Sequence, residues 1–195
     1  MIYIRNKLVF NFELCLHNIE NVAYMWYNYI YVNEIINRRD NMIEIYTDGS
    51  SAKIGSGYGT VVMLDNPYII SEYFEEGTNN QMELKAIIAA LEFAKEHKED
   101  KFIIYSDSAY CVNMCNEWIF NWAAAGWKRG KNKEILNLDL VKQIYSLLDT
   151  TFECNYTIEK VDGHSGNIGN EIADAVATRN KVKLNKFLEK YEREV

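Results

Sequence analysis

Four acidic side chains stand at positions where they can share metal ions. Asp48 and Asp107 each follow a short apolar run, whereas Glu83 and Asp174 lie in the early turns of segments with helical periodicity. Carboxylates that meet at about 4 Å repel one another by about 4 kcal/mol per pair at an effective dielectric of about 20, so such a cluster needs cations. Oxygen ligands suit hard ions such as Mg²⁺ or Mn²⁺, and two such ions can clamp the attacking and leaving oxygens of a phosphoryl displacement. These residues therefore favour a metal-dependent phosphodiester site over a set of ordinary turn formers.

Short apolar runs between turn signals predict the strands that would position these acids. MIEIYTDGS, YGTVVML and PYIISEYFEEG follow one another with short connections, so an antiparallel meander is the simplest arrangement for them. KFIIYSDS and CNYTIEKV supply a fourth and a fifth strand. Asp48 is predicted to end the first strand, and Asp107 the fourth.

Helical periodicity predicts the remaining elements. One helix covers residues 79–97, others cover about 108–122 and 137–148, and a last one opens near Asn170. Thr78 or Asn79 supplies the N-cap of the first helix. The order of elements predicts an α/β fold, in which a mixed five-stranded sheet of three antiparallel strands plus two parallel ones is flanked by helices.

The predicted topology brings the acids together. If the first and fourth strands are parallel neighbours joined by a right-handed crossover, their carboxyl ends emerge on one edge of the sheet. Ligand sites of open α/β sheets form at such edges. Asp48 and Asp107 would then face each other, with Glu83 pointing between them from the crossover helix.

Composition excludes several classes of protein. A chain of 195 residues with 48% hydrophobic and 25% charged residues is not disordered. Its 21 basic and 28 acidic side chains give a formal charge of −7, which argues against coating nucleic acid or an anionic membrane by bulk charge. No stretch approaches the roughly 18 apolar residues of a membrane span. The four cysteines form no C-x-x-C pair, which predicts reduced thiols and a cytoplasmic location.

Five short motifs, taken together, resemble ribonuclease H of type 1. The likeness covers about residues 42–180, and it is specific as an ordered set although TDGS alone would be weak. It implies the ribonuclease H-like fold and hydrolysis of the RNA strand of RNA–DNA hybrids, with 3′-hydroxyl and 5′-phosphate products. The motifs are YTDGS at Tyr46–Ser50, TNNQMEL at Thr78–Leu84, YSDS at Tyr105–Ser108, GHSG at Gly163–Gly166 and GNEIAD at Gly169–Asp174.

The resemblance also implies roles for the catalytic residues. His164 would assist proton transfer or product release, which suits an imidazole because this side chain titrates near neutral pH. The cofactor would be two Mg²⁺ ions, with Mn²⁺ as the alternative. The metal ligands would be Asp48, Glu83, Asp107 and Asp174.

Substrate contacts follow from the same likeness. Polar groups near the metals would distinguish RNA from DNA at the 2′-hydroxyl, two further residues would grip a phosphate of the DNA strand, an aromatic side chain would border the DNA groove, and a basic loop would contact the backbone. The groups at the 2′-hydroxyl would be Gly49, Ser51, Asn79 and Asn80. Thr78 and Asn137 would bind the phosphate, and Trp118 would border the groove. The basic loop residues would be Lys128, Arg129 and Lys131.

Three departures from the family pattern predict weaker binding of the hybrid than in relatives with a full set of basic residues in this region. Ala123–Ala125 stand where relatives often carry basic residues. Glu76 occupies the position of an arginine that is common in the phosphate pocket, and Ala109 replaces a polar residue. These changes remove positive charge from the binding surface and leave the metal ligands intact.

Residues 42–195 are predicted to form the catalytic domain, and residues 1–41 an N-terminal extension of unknown role. The extension has an aromatic, Asn-rich stretch that suits either packing against the main domain or an interaction patch. We expect the extension to be dispensable, with Met42 as an alternative start. The expected partner is an RNA–DNA hybrid. The protein is expected to be a monomer and not to associate with a membrane. Two alternatives remain open: a ribonuclease H domain of reverse-transcriptase origin, and a catalytically weak hybrid-binding module.

Overall fold

The computed structural model describes residues 42–53, 55–98, 100–130, 133–150 and 155–194. The predictions made for residues 1–41 lie outside these ranges, as does the predicted substrate contact of Lys131. The described helices include none that is long and apolar enough to cross a membrane.

A mixed five-stranded sheet organises the described part of the chain. Its spatial order is β3-β2-β1-β4-β5, with β1–β2 and β2–β3 antiparallel and β1–β4 and β4–β5 parallel. The predicted combination of three antiparallel strands and two parallel ones is therefore confirmed. The strands are β1 (Ile43–Ala52), β2 (Gly55–Val62), β3 (Tyr68–Phe74), β4 (Lys101–Ser106) and β5 (Asn155–Lys160).

The helices lie close to their predicted positions. A π-helical turn at Met114–Trp118 joins α2 to α3, so that one helical segment runs over 109–124. The last predicted helix is divided into α5 and α6, and α5 begins two residues early because the Asn167 side chain accepts the Asn170 backbone N–H and caps it. The helices are α1 (Asn79–Glu96), α2 (Ala109–Asn113), α3 (Ile119–Ala124), α4 (Leu138–Thr150), α5 (Ile168–Ala177) and α6 (Lys181–Glu194).

Helix α1 is the crossover that sets β4 parallel to β1. It begins at a capping box in which the Thr78 side chain accepts the Gln81 N–H and the Gln81 side chain accepts the Thr78 N–H. Most of its central residues are buried, and Thr60 of β2 donates from its hydroxyl to the Ala86 carbonyl at 2.9 Å. These contacts fix α1 on one face of the sheet.

Helices α5 and α6 cover the opposite face. Tyr46 and Val61 are neighbours across β1 and β2, and they pack against Ile172, Ala173 and Val176 of α5. Because successive strand residues point to opposite faces, the Thr60 contact with α1 and the Val61 contact with α5 identify two separate layers. The prediction of a sheet flanked by helices is correct.

The first strand does not end where the sequence suggests. β1 continues to Ala52 because its antiparallel pairing with β2 extends to the Ala52–Gly55 pair, so the prediction that Asp48 ends this strand is wrong. The parallel pairing with β4 stops earlier, at Thr47 and Ser106. Asp48 and Asp107 therefore each follow the last parallel pair, and the two acids lie side by side as the topology predicts.

Candidate active site

Three of the four predicted metal ligands form one cluster. Asp48 comes from the middle of β1, Asp107 from the residue after β4, and Glu83 from the second turn of α1. Each offers a carboxylate oxygen, and these three atoms lie within 4.8 Å of one another. The cluster joins both parallel strands to the crossover helix, so its geometry depends on the sheet register and not on a loop.

Gly49 allows α1 to approach β1 closely enough to place Glu83. A Cβ atom at position 49 would lie 2.1 Å from the Glu83 backbone nitrogen and 2.3 Å from the Met82 carbonyl carbon. No side chain fits at such distances, and the obstacle is backbone that cannot rotate away. Gly49 was predicted to contact substrate through its backbone, and the structure gives it this packing role as well.

Burial and mutual repulsion make the cluster costly when it is fully ionised. Burial, followed by the charges of Asp107 and Asp174, raises the pKa of Asp48 to about 7, and the Gly49 backbone and His164 act in the opposite direction. Burial, followed by the charges of Asp48 and Asp107, raises the pKa of Glu83 to about 9. At neutral pH Glu83 therefore holds a proton and Asp48 is about half protonated, and a bound cation can replace these protons.

The donor set of the cluster fits a hard divalent cation. Glu83 Oε2 is buried and has no hydrogen-bond partner within the described residues. A buried carboxylate oxygen without a partner is unfavourable, and a cation would satisfy it together with the oxygens of Asp48 and Asp107. Carboxylate oxygen is the ligand that Mg²⁺ and Mn²⁺ prefer. Asp48, Glu83 and Asp107 are thus suited to hold such an ion.

The fourth predicted ligand, Asp174, belongs to a neighbouring group. Its carboxylate, the Glu171 carboxylate and the His164 ring offer ligand atoms that lie within 4.8 Å of one another. Asp174 also lies close enough to Asp48 that its charge raises the pKa of Asp48. The two groups are therefore electrostatically connected, although the structure does not bring all four carboxylates into one cluster.

A lysine from α6 partly neutralises this second group, with one ammonium for two carboxylates. Lys183 Nζ donates to Asp174 Oδ2 and lies 2.7 Å from Glu171 Oε2. Partial burial lowers the pKa of Lys183, but hydrogen bonds from its ammonium to Asp174 and Glu171 outweigh this effect and raise it. Asp174 and Glu171 thus have a positively charged partner within the chain.

His164 lies in the loop between β5 and α5. Its backbone adopts the left-handed conformation with φ of 53°, and its side chain is exposed. Gly163 packs directly against the cluster, since a Cβ atom there would lie 2.8 Å from Asp107 Oδ2. The ends of the loop are attached to the sheet: the Val161 N–H donates to the Ser106 carbonyl at 3.1 Å, and the Asn167 side chain donates to the Tyr46 hydroxyl at 3.1 Å.

The predicted readers of the 2′-hydroxyl brace the start of α1. Asn79 Oδ1 accepts the Ser51 backbone N–H at 2.7 Å, and the Ser51 hydroxyl donates to the Gly77 carbonyl at 2.7 Å. Asn80 is exposed. The Thr78 hydroxyl caps α1 by accepting the Gln81 backbone N–H. Any contact of Thr78 with substrate would be made in addition to this hydrogen bond.

The remaining predicted contacts lie between α2 and α4. Trp118 is half-buried, and its ring lies 6.0 Å from the Trp122 ring and 6.1 Å from the Tyr110 ring. Lys128 and Arg129 are exposed, and Arg129 forms a bridge with Lys133 through a 2.9 Å backbone hydrogen bond. Asn137 has a φ of 55° and its carbonyl accepts the N–H of Val141 in α4.

Two residues near the site were not predicted. Glu171 lies three residues before Asp174, and this spacing on one helix puts both carboxylates on the same face, so the sequence contained a usable signal. Lys183 lies on a different helix, beyond the break between α5 and α6. Its ion pairs depend on how α6 packs, which no local spacing reveals.

Comparisons with known proteins agree with this architecture. The RNase H family model matches residues 40–181. A ribonuclease H of Francisella tularensis subsp. novicida is 40% identical over 148 residues, covering 73% of this chain and 92% of the relative. A ribonuclease H of Francisella philomiragia is also 40% identical, over 149 residues, covering 74% and 93%.

Solved structures give the same result for the fold. LC9-RNase H1, a type 1 RNase H with the type 2 active-site motif, has a TM-score of 0.56 and 25% identity, with 71% of each chain covered. The foamy viral protease-reverse transcriptase in complex with RNA/DNA hybrid has a TM-score of 0.62 and 23% identity, with 72% of this chain and 20% of that chain covered.

The fold and the acidic cluster define a nuclease of the ribonuclease H-like class. The chain belongs to the ribonuclease H family, whose activity is hydrolysis of the RNA strand of RNA–DNA hybrids. The family and the activity predicted from the sequence are confirmed.

Proposed function

We propose that this chain cleaves the RNA strand with two Mg²⁺ ions held by Asp48, Glu83, Asp107 and Asp174. The observation that carries the proposal is the cluster of the first three carboxylates, in which Glu83 Oε2 is buried without a hydrogen-bond partner within the described residues. Carboxyl groups this close together and this buried can all ionise at neutral pH only when cations are bound. Mn²⁺ has the same preference for oxygen ligands and is the expected substitute.

The metal ions would supply a polarised water and charge stabilisation for the leaving oxygen. The protein supplies their positions. Asp48 and Asp107 are held by adjacent strands, directly after the last pair of the parallel ladder. Glu83 is held by the close approach of α1 at Gly49. Asp174 extends the acidic surface from α5, and its effect on the pKa of Asp48 supports action as part of one charged site.

His164 is proposed to move protons near the scissile phosphate. Its exposed side chain can reach solvent, and its ligand atoms lie within 4.8 Å of those of Asp174 and Glu171. An imidazole can accept a proton during attack by water and return it during departure of the product. The backbone at residue 164 is left-handed, a conformation that non-glycine residues rarely adopt. When they do adopt such a conformation, the residue is often at a functional position.

An RNA–DNA hybrid is the proposed substrate of this surface. Asn79 and Asn80 at the start of α1, with the Gly49–Ser51 backbone, are proposed to read the 2′-hydroxyl. Thr78 and Asn137 are proposed to bind a phosphate of the DNA strand. Trp118 and the basic residues Lys128, Arg129 and Lys131 are proposed to follow the nucleic-acid backbone. Because phosphate contacts determine register and affinity, these residues should affect hybrid binding more than the chemical step.

Cleavage of an end-labelled hybrid tests the metal site. The wild-type chain should cleave the RNA strand only with Mg²⁺ or Mn²⁺, should stop when a chelator is added, and should leave single- and double-stranded DNA intact. Asp48→Asn should abolish cleavage. Asp139→Asn is the matched control, because Asp139 is an exposed acid of α4. Equal activity in the Asp48 and Asp139 variants would rule out the proposed mechanism.

Residues 42–195 are proposed to be sufficient for this activity. The family match begins at residue 40, which supports the proposal. A chain that starts at Met42 should cleave the hybrid with the same Mg²⁺ requirement as the full chain. Loss of folding or of cleavage in the truncated chain would assign a necessary role to residues 1–41.

A further inference from the structure

Lys183 occupies a position that helix stability does not explain. It lies in the first turn of α6, where Asn180 Oδ1 accepts its backbone N–H at 2.9 Å. The helix dipole places partial positive charge at this end, so a cation here is unfavourable for α6. The ammonium instead reaches α5, where it donates to Asp174 and lies 2.7 Å from Glu171 Oε2.

The rest of α6 holds this lysine in place. Leu184, Phe187 and Leu188 pack against the core formed by the sheet and α5. The Tyr191 hydroxyl donates to the Leu64 carbonyl at 2.8 Å. Lys183 is therefore presented to the two carboxylates by a helix that is attached to the domain at several points.

The two carboxylate groups consequently differ in their need for a cation. In the group of Asp48, Glu83 and Asp107, one buried oxygen has no hydrogen-bond partner among the described residues, whereas Asp174 and Glu171 already share an ammonium. An ion that binds Asp174 must compete with the charge and the hydrogen bonds of Lys183. We propose that the Lys183 ammonium is a resident counter-ion of Asp174 and Glu171 that a divalent ion displaces when it binds at Asp174.

This inference rests on the proposed function, in which Asp174 is a ligand of a divalent ion. Displacement is physically reasonable because a divalent ion carries twice the charge of an ammonium and lysine has a flexible four-carbon stem. The Lys183 side chain is 25% exposed, so its ammonium can move into water without crossing the core. Lys183 is a positioning residue in this scheme, since it acts through Asp174 and Glu171. It sets the ion concentration at which that half of the site fills.

Removal of the ammonium should strengthen metal binding. Lys183→Met keeps most of the aliphatic stem and deletes the competing charge. The full-length variant should bind Mn²⁺ more tightly, and its Mg²⁺ midpoint for hybrid cleavage should fall by about tenfold, as expected for loss of charge-assisted hydrogen bonds. Lys183→Arg should keep the midpoint at or above the wild-type value, because it retains the positive charge and a guanidinium can bind carboxylates through two hydrogen bonds.

Lys186→Met is the matched control. Lys186 lies on the same helix, and its ammonium lies 5.7 Å from the centroid of the Phe187 ring, as does that of Lys183. The control therefore removes the same charge and the same ring contact while leaving Asp174 and Glu171 paired. Its Mn²⁺ affinity and Mg²⁺ midpoint should equal those of the wild-type chain.

Calorimetric titration with Mn²⁺ and the Mg²⁺ midpoint together decide the matter. Tighter binding in Lys183→Met but not in Lys186→Met supports displacement. Wild-type values in both variants overturn it, as does weaker binding in Lys183→Met, which would mean that the lysine only orients the carboxylates. If Lys183→Met fails to fold, Lys183→Gln takes its place in the same comparison.

Asp174→Asn separates failure of this inference from failure of the proposed function. If that variant binds Mn²⁺ and cleaves hybrid like the wild-type chain, Asp174 is not a ligand and both proposals fail. If it loses metal affinity and cleavage while Lys183→Met remains like wild type, only the role assigned to Lys183 fails.

Discussion

The two acidic groups of the candidate active site differ in how the protein accommodates several carboxyl groups close together. Asp48, Glu83 and Asp107 come from the central sheet and its crossover helix, and one of their oxygens is buried without a hydrogen-bond partner in the described ranges. Asp174 and Glu171 come from α5 and share the ammonium of Lys183. In the metal-free chain the first group retains protons at neutral pH, and the second shares one ammonium between two carboxylates.

This difference indicates a division of work between the groups. A buried carboxyl cluster with raised pKa values destabilises the metal-free protein as the pH rises, and it offers a preformed set of oxygen ligands to a cation. Asp174 and Glu171 share an ammonium, so they destabilise the metal-free protein less. Their ammonium can also be replaced by another cation. We call Asp48, Glu83 and Asp107 the sheet cluster, and Asp174 and Glu171 with their ammonium partner the α5 group. Cleavage should depend most strongly on the sheet cluster, and the α5 group should change it less.

Equivalent substitutions of one glutamate in each group test this comparison most strongly. Glu83→Gln should lower kcat by about 10³-fold or more, because loss of metal stabilisation costs several kcal/mol. The same change should stabilise the metal-free protein at pH 8 by at least about 1 kcal/mol, because burial and neighbouring charges raise the pKa of Glu83. Hybrid-cleavage kinetics and urea unfolding in a chelator measure the two effects.

Glu171→Gln is the partner experiment. It should reduce activity much less and should destabilise the metal-free protein by about 1 kcal/mol, because the Lys183 ammonium loses a charged partner at 2.7 Å. The comparison breaks if both variants change stability in the same direction, or if Glu171→Gln is the more damaging of the two for cleavage.

Substitution of His164 should have the next largest effect. His164→Ala should lower kcat by about 100-fold, the lower range for loss of a general acid–base group, and leave Mn²⁺ affinity at the sheet cluster unchanged. Single-turnover kinetics separates the chemical step from product release. Ser165→Ala is the control for the loop, because it removes the hydrogen bond from the Ser165 hydroxyl to the Asp162 carbonyl but keeps the imidazole. An unchanged kcat in His164→Ala would remove this residue from the mechanism.

The sheet cluster could be predicted from the sequence because its parts obey local rules. Asp48 and Asp107 follow apolar strand patterns, Thr78 marks the start of α1, and the right-handed crossover rule joins them. The extent of β1 could not be predicted from TDGS, because the continuing pairs with β2 depend on a partner strand. The need for Gly49 likewise appears only when the backbone of α1 is in place.

The α5 group was predicted only in part, for a related reason. The sequence indicates His164 and Asp174, but not the ammonium that pairs with Asp174 and Glu171. Lys183 follows Asp174 by one helix break, and its direction is set by Leu184 and Phe187 packing against the core. Contacts between separate helices produce no periodic pattern in the sequence. The pairing of Lys183 with Asp174 and Glu171 therefore could not be predicted from it.

The raised pKa values of the sheet cluster should make the stability of the metal-free protein depend on pH. The pKa values of Asp48 and Glu83 are raised to about 7 and about 9, so the folded state binds more protons than the unfolded state above about pH 4. Stability should therefore fall by at least about 2 kcal/mol between pH 5.5 and 8.5. Urea unfolding in a chelator measures this change.

Two controls identify its source. Asp48→Asn should make the profile shallower, although Glu83 keeps part of the pH dependence because burial is the main cause of its raised pKa. Saturating Mg²⁺ should restore stability at pH 8.5 because a bound cation favours the ionised carboxylates. A metal-free stability that rises over this pH range would contradict the account of the sheet cluster.

The smallest expected effect concerns the surface around the site and not the acids within it. Glu76 is exposed and stands two residues before Thr78, where a positive charge would favour a phosphate. Glu76→Arg should strengthen hybrid binding and steepen the slope of log K against log salt concentration by about 1, as expected for one added phosphate contact. Glu75→Arg makes the same charge change at the neighbouring exposed position. Equal slopes in the two variants would show that net charge, and not a phosphate contact beside Thr78, limits the affinity for the hybrid.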